Sequence, residues 1–480
     1  MMKMEGEKSM RTNSIFKVIF ISLFVDLLAF TLILPLLPKI LDHYAKHDLS
    51  NGYNLFIDNV KIIQQLLGIP ESHNQVLLAG MLGSWFSFLQ FLSSPLIGAL
   101  SDRFGRKKIM LMTIIGSTLS YVTWLLASNS FNLFILSRTL GGLSKANVGL
   151  SLAIISDVSD ESSRGRGMAV VGSTFSLAFI SGPLLGAYLS RLAGKASDNY
   201  TQLIIYPSSI AICLSMIGFL ILALYLEETN GMVAGKSRNG RLVNRKAFKQ
   251  NILKQSFHYI NPQSIFNFSL VKDIPQTQRM HLKSTGMIHF YYLLFYSGLE
   301  FTLSFLTHLR FQFSSMDQGK LYLYSGLIMA ILQGGYIRRI KGGLEAKIAL
   351  LGLTMIIPSF IFMGLSTKIS HIYLSLTMYA ISSAIVVPCL TTIVSSNSPE
   401  EQKGAVMGTF RSIGALARAF GPFLASFVFW TLGPTICYII GGLALLVPHY
   451  KMRELLSHEA HGSKATNDKK NFTARPAVAN

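Results

Sequence analysis

The sequence predicts an all-α polytopic membrane protein, with twelve transmembrane helices in two pseudo-symmetric six-helix bundles. Three observations carry this expectation. Twelve apolar stretches, in two sets of six, punctuate the 480 residues, each near the ~20 residues that cross a bilayer. Hydrophobic residues make up 50% of the chain and charged residues only 14%, against about 25% in soluble domains, and mean hydropathy is +0.43. The charges cluster between the apolar stretches and leave long segments nearly bare. The net charge of +20 would suggest nucleic acid in a soluble chain. Here it reads as cytoplasmic loops beside anionic lipid, and no nucleic-acid partner is expected.

The elements follow in order. Residues 1–14 form a tail, and 15–38 the first helix, too long for a signal-peptide core and without a small-residue cleavage site. Residues 39–75 are a mixed-charge, non-cytoplasmic loop. Within it Ile57, Val60, Ile63, Leu66 and Leu67 recur at helical spacing and predict a short amphipathic helix. Stretches 76–100, 108–128, 131–155, 167–190 and 203–226 complete an N-terminal bundle over 15–226, with Ser128-Asn129-Ser130 as a very short turn. A basic cytoplasmic linker, 227–285, carries ten Lys or Arg. Stretches 286–308, 320–337, 344–364, 371–395, 404–427 and 430–449 form a C-terminal bundle over 286–450, followed by a polar tail, 451–480, expected to be disordered. Arg103, Arg106, Lys107 and Lys108 load one short loop, and Arg338, Arg339, Lys341 and Lys347 another. By the positive-inside rule both termini are cytoplasmic, in the plasma membrane or an internal one. Cys213, Cys389 and Cys437 lie in apolar runs and read as buried thiols.

Charge inside an apolar run is expensive, about 2.5–3.5 kcal/mol at the bilayer centre, and marks function by default. Asp26 lies near the middle of helix 1 and Glu300 halfway down helix 7. Burial penalises the charged form of a carboxyl, so both are candidate proton sites. A structural hydrogen bond for Asp26, or a salt bridge between halves for Glu300, is the alternative. Arg411 and Arg418 are seven residues apart in helix 11 and share a face, which suits a carboxylate-bearing substrate. Gln90 and Asn147 are uncharged candidates for the substrate cavity, and Pro358 and Pro388 for kinks. No Walker loop, catalytic constellation or metal-spaced cluster is found, so neither enzyme activity nor a cofactor is expected.

Several motifs resemble the major facilitator superfamily. Gly98 and Ser101-Asp102-Arg103-Phe104-Gly105-Arg106-Lys107-Lys108 resemble its signature loop between helices 2 and 3. Arg138 with Gly141-Gly142 resembles its helix 4 motif, and Gly172, Gly182, Pro183 and Gly186 its antiporter motif in helix 5. Asp26 followed by Pro35 resembles the helix 1 motif of its drug:proton antiporters. Phe24–Pro38 and Tyr296–Phe313 resemble more narrowly an animal, tetracycline-transporter-like branch. The resemblance implies alternating access and efflux of small organic anions, with a proton or counter-ion gradient as the drive, and a monomer is expected. It implies that Arg138 faces the cavity and assists proton transfer; a reversible contact with Asp26 is one way to couple charge to conformation, and a purely structural bond to backbone carbonyls is the alternative. It also implies a cytoplasmic gate of Gly98, Asp102, Arg103, Gly105 and Arg106, with Asp102 meeting the start of helix 11. In the second half Arg338 stands at the position matching Asp102. A non-transporting scaffold and an uncoupled facilitator remain open alternatives.

Overall fold

The structure is a computed structural model that describes residues 2–68, 70–159, 161–196, 201–229, 261–269, 271, 274–336, 343–399 and 403–457. Every regular element among them is helical, as apolar segments must be where no water can satisfy a free backbone group. The N-terminal half contains α1 (Met2–Thr31), α2 (Leu37–His47), α3 (Gly52–Leu67), α4 (Asn74–Phe104), α5 (Arg106–Leu126), α6 (Phe131–Ser144), α7 (Asn147–Val158), α8 (Glu161–Ala196) and α9 (Gln202–Tyr225). The C-terminal half contains α10 (Pro262–Phe266), α11 (Gln276–Phe311), α12 (Ser315–Ile331), α13 (Glu345–Leu365), α14 (Ile369–Ser396) and α15 (Lys403–Ala444).

Eight helices among the described residues are long and apolar enough to cross a membrane. The other stretches fall short for identifiable reasons. The run 131–155 is broken at Lys145 into α6 and α7. α12 has only 17 residues. α11 is 36 residues long, but polar side chains such as His289 and Glu300 dilute it. α15 runs through Gly433, whose φ of 80° and following Pro434 make it a turn rather than helix. α3 is the amphipathic helix expected in the first loop, and α2 is an additional one. α11 begins ten residues before the expected 286, at Gln276. Of the expected linker, residues 230–260, 270 and 272–273 lie outside the described residues, as does most of the expected C-terminal tail. Cys389 and Cys437 are buried, whereas Cys213 is exposed on α9, contrary to the expectation for all three.

Small residues let helices cross closely where lipid offers no hydrophobic drive. On α8, a side chain at Gly186 would run into the Leu32 backbone just after α1, and one at Gly182 into Thr31 at its end. Thr31 Oγ1 donates to Ala178 O at 3.1 Å across the same crossing. Gly298 of α11 and Gly421 of α15 lie backbone to backbone. The expected cost of Gly186→Ala is therefore about 1–3 kcal/mol of overpacking, read as a lowered melting temperature of the detergent-solubilised protein.

The two halves meet along α4–α15 and α8–α12. One end of these seams is tight. Ser84 Oγ accepts from Phe423 N at 2.8 Å, Trp430 Nε1 donates to Asn74 Oδ1 at 2.8 Å, and Ser190 donates to Ser315 at 3.3 Å. Side chains at Gly80 and Gly319 would collide with Ser426 and Ala187 across the seam. The other end, which holds Arg11, Arg106 and Lys107, is splayed. Gly98 is five helical turns from Gly80 on the same face of α4, yet a side chain there would meet nothing within 4 Å among the described residues. The same holds for Gly172 on α8 and Gly408 on α15, although one turn beyond Gly172 Ser176 Oγ still donates to Gln333 Oε1 at 2.6 Å across the α8–α12 seam. A gap between the halves therefore opens toward the basic end.

At the closed end Asp48 ties together two helices of the N-terminal half. Its Oδ1 accepts from Ser50 N at 2.9 Å, Ser50 Oγ at 2.6 Å and Phe131 N at 3.0 Å, and its Oδ2 from Tyr53 N at 2.8 Å. It thus serves the N-termini of both α3 and α6, where an anion is favoured. Burial alone pushes this carboxyl up, but the hydrogen bonds outweigh it and hold Asp48 below the usual carboxylate range. Its stabilisation is therefore present above the unfolded-state value and lost as pH falls through the folded one. Asp48→Ala is expected to cost about 1–2 kcal/mol at pH 7. The melting-temperature gap to wild type should close on acidification below pH ~4.

Candidate functional site

Two clusters of polar side chains sit in the helical interior, one in each half. In the first, Asp26 on α1 pairs with Lys145, whose Nζ lies 2.6 Å from Asp26 Oδ2; each side chain is only 6% exposed. Lys145 follows α6 at the break in the helix, where its own φ and ψ of −82° and 66° are non-helical. Its Nζ also lies 4.9 Å from the centroid of the Phe30 ring. The break leaves carbonyls without helical partners, and side chains supply them. Gln90 Nε2 on α4 donates to Lys145 O at 3.0 Å, and Ser93 Oγ donates to Gly142 O at 3.4 Å. Asn147, 1% exposed, opens α7 and accepts from Thr113 Oγ1 at 2.5 Å. Gln90 and Asn147 thus hold the break that positions Lys145.

Arg138 does not contact Asp26; the structure gives that carboxylate to Lys145 instead. The Arg138 guanidinium lies 5.4 Å from each of the ring centroids of Trp124 and Phe134. Its Nη2 donates to Ser137 Oγ at 3.3 Å.

In the C-terminal half, Glu300 ends a chain of hydroxyls. Tyr379 OH lies 2.5 Å from Glu300 Oε1, Tyr296 OH 2.6 Å from Tyr379 OH, and Ser383 Oγ 2.8 Å from Tyr296 OH. A phenol has one hydrogen. With ionised Glu300 the bonds therefore run Ser383 to Tyr296 to Tyr379 to Glu300. The 3.2 Å approach of Tyr296 to Glu300 then carries no proton of its own. The two phenol rings stack at 5.3 Å, which fixes the chain sideways.

Arg411 and Arg418 are exposed on α15 although the helix is packed on both sides. At 100° per residue they share a face with Pro422, whose carbonyl touches α4 at Gly80. That face looks between the halves, while Phe420, Phe423 and Phe427 point elsewhere and are exposed. Arg418 interacts electrostatically with Glu300, and both arginines with buried His289. The splayed gap therefore has two guanidinium groups on one wall and a carboxylate near them.

The remaining expected residues are elsewhere. Gly105, with φ 102°, makes the turn between α4 and α5. Arg106 Nε pairs with Asp157 Oδ2 at 3.0 Å, and its Nη1 donates to Ser101 Oγ at 2.5 Å. Glu228 accepts from Arg106 N at 2.9 Å and Lys107 N at 3.3 Å, capping α5. Arg103 is exposed over the Phe104 ring. These partners belong to the N-terminal half, except Glu228, which lies just after α9 at the start of the expected linker. The Asp102 side chain and Arg338 lie outside the described residues. Pro183, Pro358 and Pro388 lie inside α8, α13 and α14.

Lys145, Tyr296, Tyr379 and Ser383 were not anticipated. Lys145 carries the same signal that singled out Asp26, a charge inside an apolar run. The tyrosines carry none, because a tyrosine in such a run reads as interfacial.

Comparison with known proteins places this geometry. A family profile described as Major Facilitator Superfamily matches residues 19–422. Major facilitator superfamily domain-containing protein 10 of Mus musculus is 38% identical over 455 residues, covering 93% of this chain and 94% of that one. The class B tetracycline resistance protein of Escherichia coli is 24% identical, covering 94% and 98%. The crystal structure of the human organic anion transporter MFSD10 (TETRAN) superposes with a TM-score of 0.74 at 37% identity, covering 92% of this chain and 99% of that one.

Proposed function

Because the chain belongs to the Major Facilitator Superfamily, we propose that it is a secondary active transporter of small amphiphilic organic anions. It works by alternating access at a site between two six-helix bundles. The observation that carries the cargo class is the exposure of Arg411 and Arg418 on the wall of the interior gap. Guanidinium groups there are solvated by whatever enters, and a carboxylate fits their planar fork. The organic anion transporter among its relatives supports the same class. Twelve crossings follow if α6 and α7 together form one, α11 and α12 one each, and the 406–457 span two, turning at Gly433. The basic end is then cytoplasmic and the gap is the inward-open state. Asp26 with Lys145 and Glu300 with its hydroxyl chain are the groups through which a proton couples to transport.

The test is a panel of organic anions offered to the purified protein in liposomes under an imposed pH gradient. Gradient-dependent accumulation of carboxylates, but not of their neutral analogues, is expected. Accumulation of none overturns transport, and accumulation indifferent to the gradient overturns coupling. Alternating access carries a second expectation. Gly172→Ala and Gly408→Ala meet open space in this state, so their melting temperatures should stay near wild type. Closure of the basic end brings those faces together, so turnover should fall several-fold, measured as initial uptake rate.

A further inference from the structure

We propose that the N-terminal half holds a small-anion site, of a size for chloride, between α4, α5 and α6, with Arg138 as its cation. The inference does not rest on the transport reading.

The first observation is a charge imbalance. Arg138 and Lys145 are 9% and 5% exposed, and the carboxylate paired in this cluster, Asp26, is taken by Lys145. Among the described residues no carboxylate pairs with Arg138. Its neighbours are a serine hydroxyl, two aromatic rings and the phenols of Tyr44 and Tyr121. Ring faces offset only part of the penalty of a buried cation, so the cluster calls for one more negative charge.

The second observation is a pair of unused donors. Arg138 Nε and Ser117 Oγ are both buried without a hydrogen-bond partner. The third is space for what they lack. Both residues line one cavity, of about 10 Å³, with Phe30, Phe86, Tyr121 and Lys145. That is room for one particle of about the size of a water molecule. No organic acid fits, which separates this site from the gap lined by Arg411 and Arg418. A water would satisfy the donors but leave the charge uncompensated, whereas a monatomic anion does both.

Lys145 borders the same cavity, so Asp26 and the ion compete for its ammonium group. Neutralising Asp26 should therefore tighten the site, by about tenfold if the coupling is of ordinary size. The experiment follows the melting temperature of the full chain in detergent as sodium chloride replaces sodium gluconate at constant ionic strength. A ligand bound only by the folded state raises it saturably. We expect a saturable rise with chloride and with bromide. The rise should vanish in Arg138→Gln and in Ser117→Val, which fills the cavity without altering charge. Asp26→Asn should lower the half-saturating chloride concentration by about tenfold. An equal melting temperature in both salts, or a chloride response retained in both variants, overturns the site. Should the variants not fold, crystals of wild type grown in bromide decide the matter. An anomalous peak beside Arg138 Nε is expected, and a water there overturns the proposal.

Discussion

Asp26→Asn is expected to abolish proton-driven accumulation and to destabilise the protein by about 3–5 kcal/mol, the cost of removing one partner of a buried ion pair. Lys145 would keep its charge in a site where it is 5% exposed. The two losses can be separated. In Asp26→Asn with Lys145→Met, no ammonium group is stranded, and most of the stability should return. Coupling should not return, because the carboxyl proposed to carry the proton is still missing. Melting temperature reports the first effect and gradient-dependent uptake in liposomes the second. A single variant as stable as wild type would mean that the pair does not hold α1 to the helix break. A double variant that still accumulates substrate against its gradient would remove Asp26 from the coupling scheme.

Arg418→Gln should strike recognition rather than the fold. Charge-assisted hydrogen bonds contribute about 1.5–3 kcal/mol each, so apparent affinity for a carboxylate substrate should fall roughly thirtyfold. The concentration dependence of initial uptake measures it. Arg418→Lys keeps the charge but not the planar fork, and an intermediate loss is expected. Because Arg418 is exposed in the gap, the melting temperature should change little. Unaltered affinity would leave Arg411 as the sole recognition residue, or place the substrate elsewhere.

Much of the helical layout was legible in the sequence because the bilayer sets a length that apolar runs must meet. Asp26, Glu300, Arg411 and Arg418 were legible for a related reason: each is a charge where charge is costly. Partners were not legible. Arg138 is the cation that electrostatics suggests for Asp26, yet Lys145 reaches it from the residue where helix 4 breaks, and only tertiary packing decides between two cations seven residues apart. The break was hidden too. Ser144-Lys145-Ala146 contains neither proline nor glycine, and its unpaired carbonyls are satisfied from α4 by Gln90 and Ser93. The hydroxyl chain at Glu300 joins α11 to α14, residues 79 apart in sequence at its shortest link. Periodicity within one helix says nothing about such a meeting.

The break at Lys145 has an electrical meaning. Splitting one helix into α6 and α7 creates two macrodipoles where an unbroken helix would have one, each equivalent to about half an elementary charge at its ends. The negative pole of α6 falls at the residue that carries the ammonium group, and the positive pole of α7 at Asn147. Lys145 therefore stands at the negative pole of α6, partly offset by the positive pole of α7 two residues on. Were Asp26 to part from Lys145, the ammonium would be left beside a weaker partner rather than in bare hydrocarbon. A discontinuous helix thereby lowers the barrier to opening an ion pair that an intact one would hold locked.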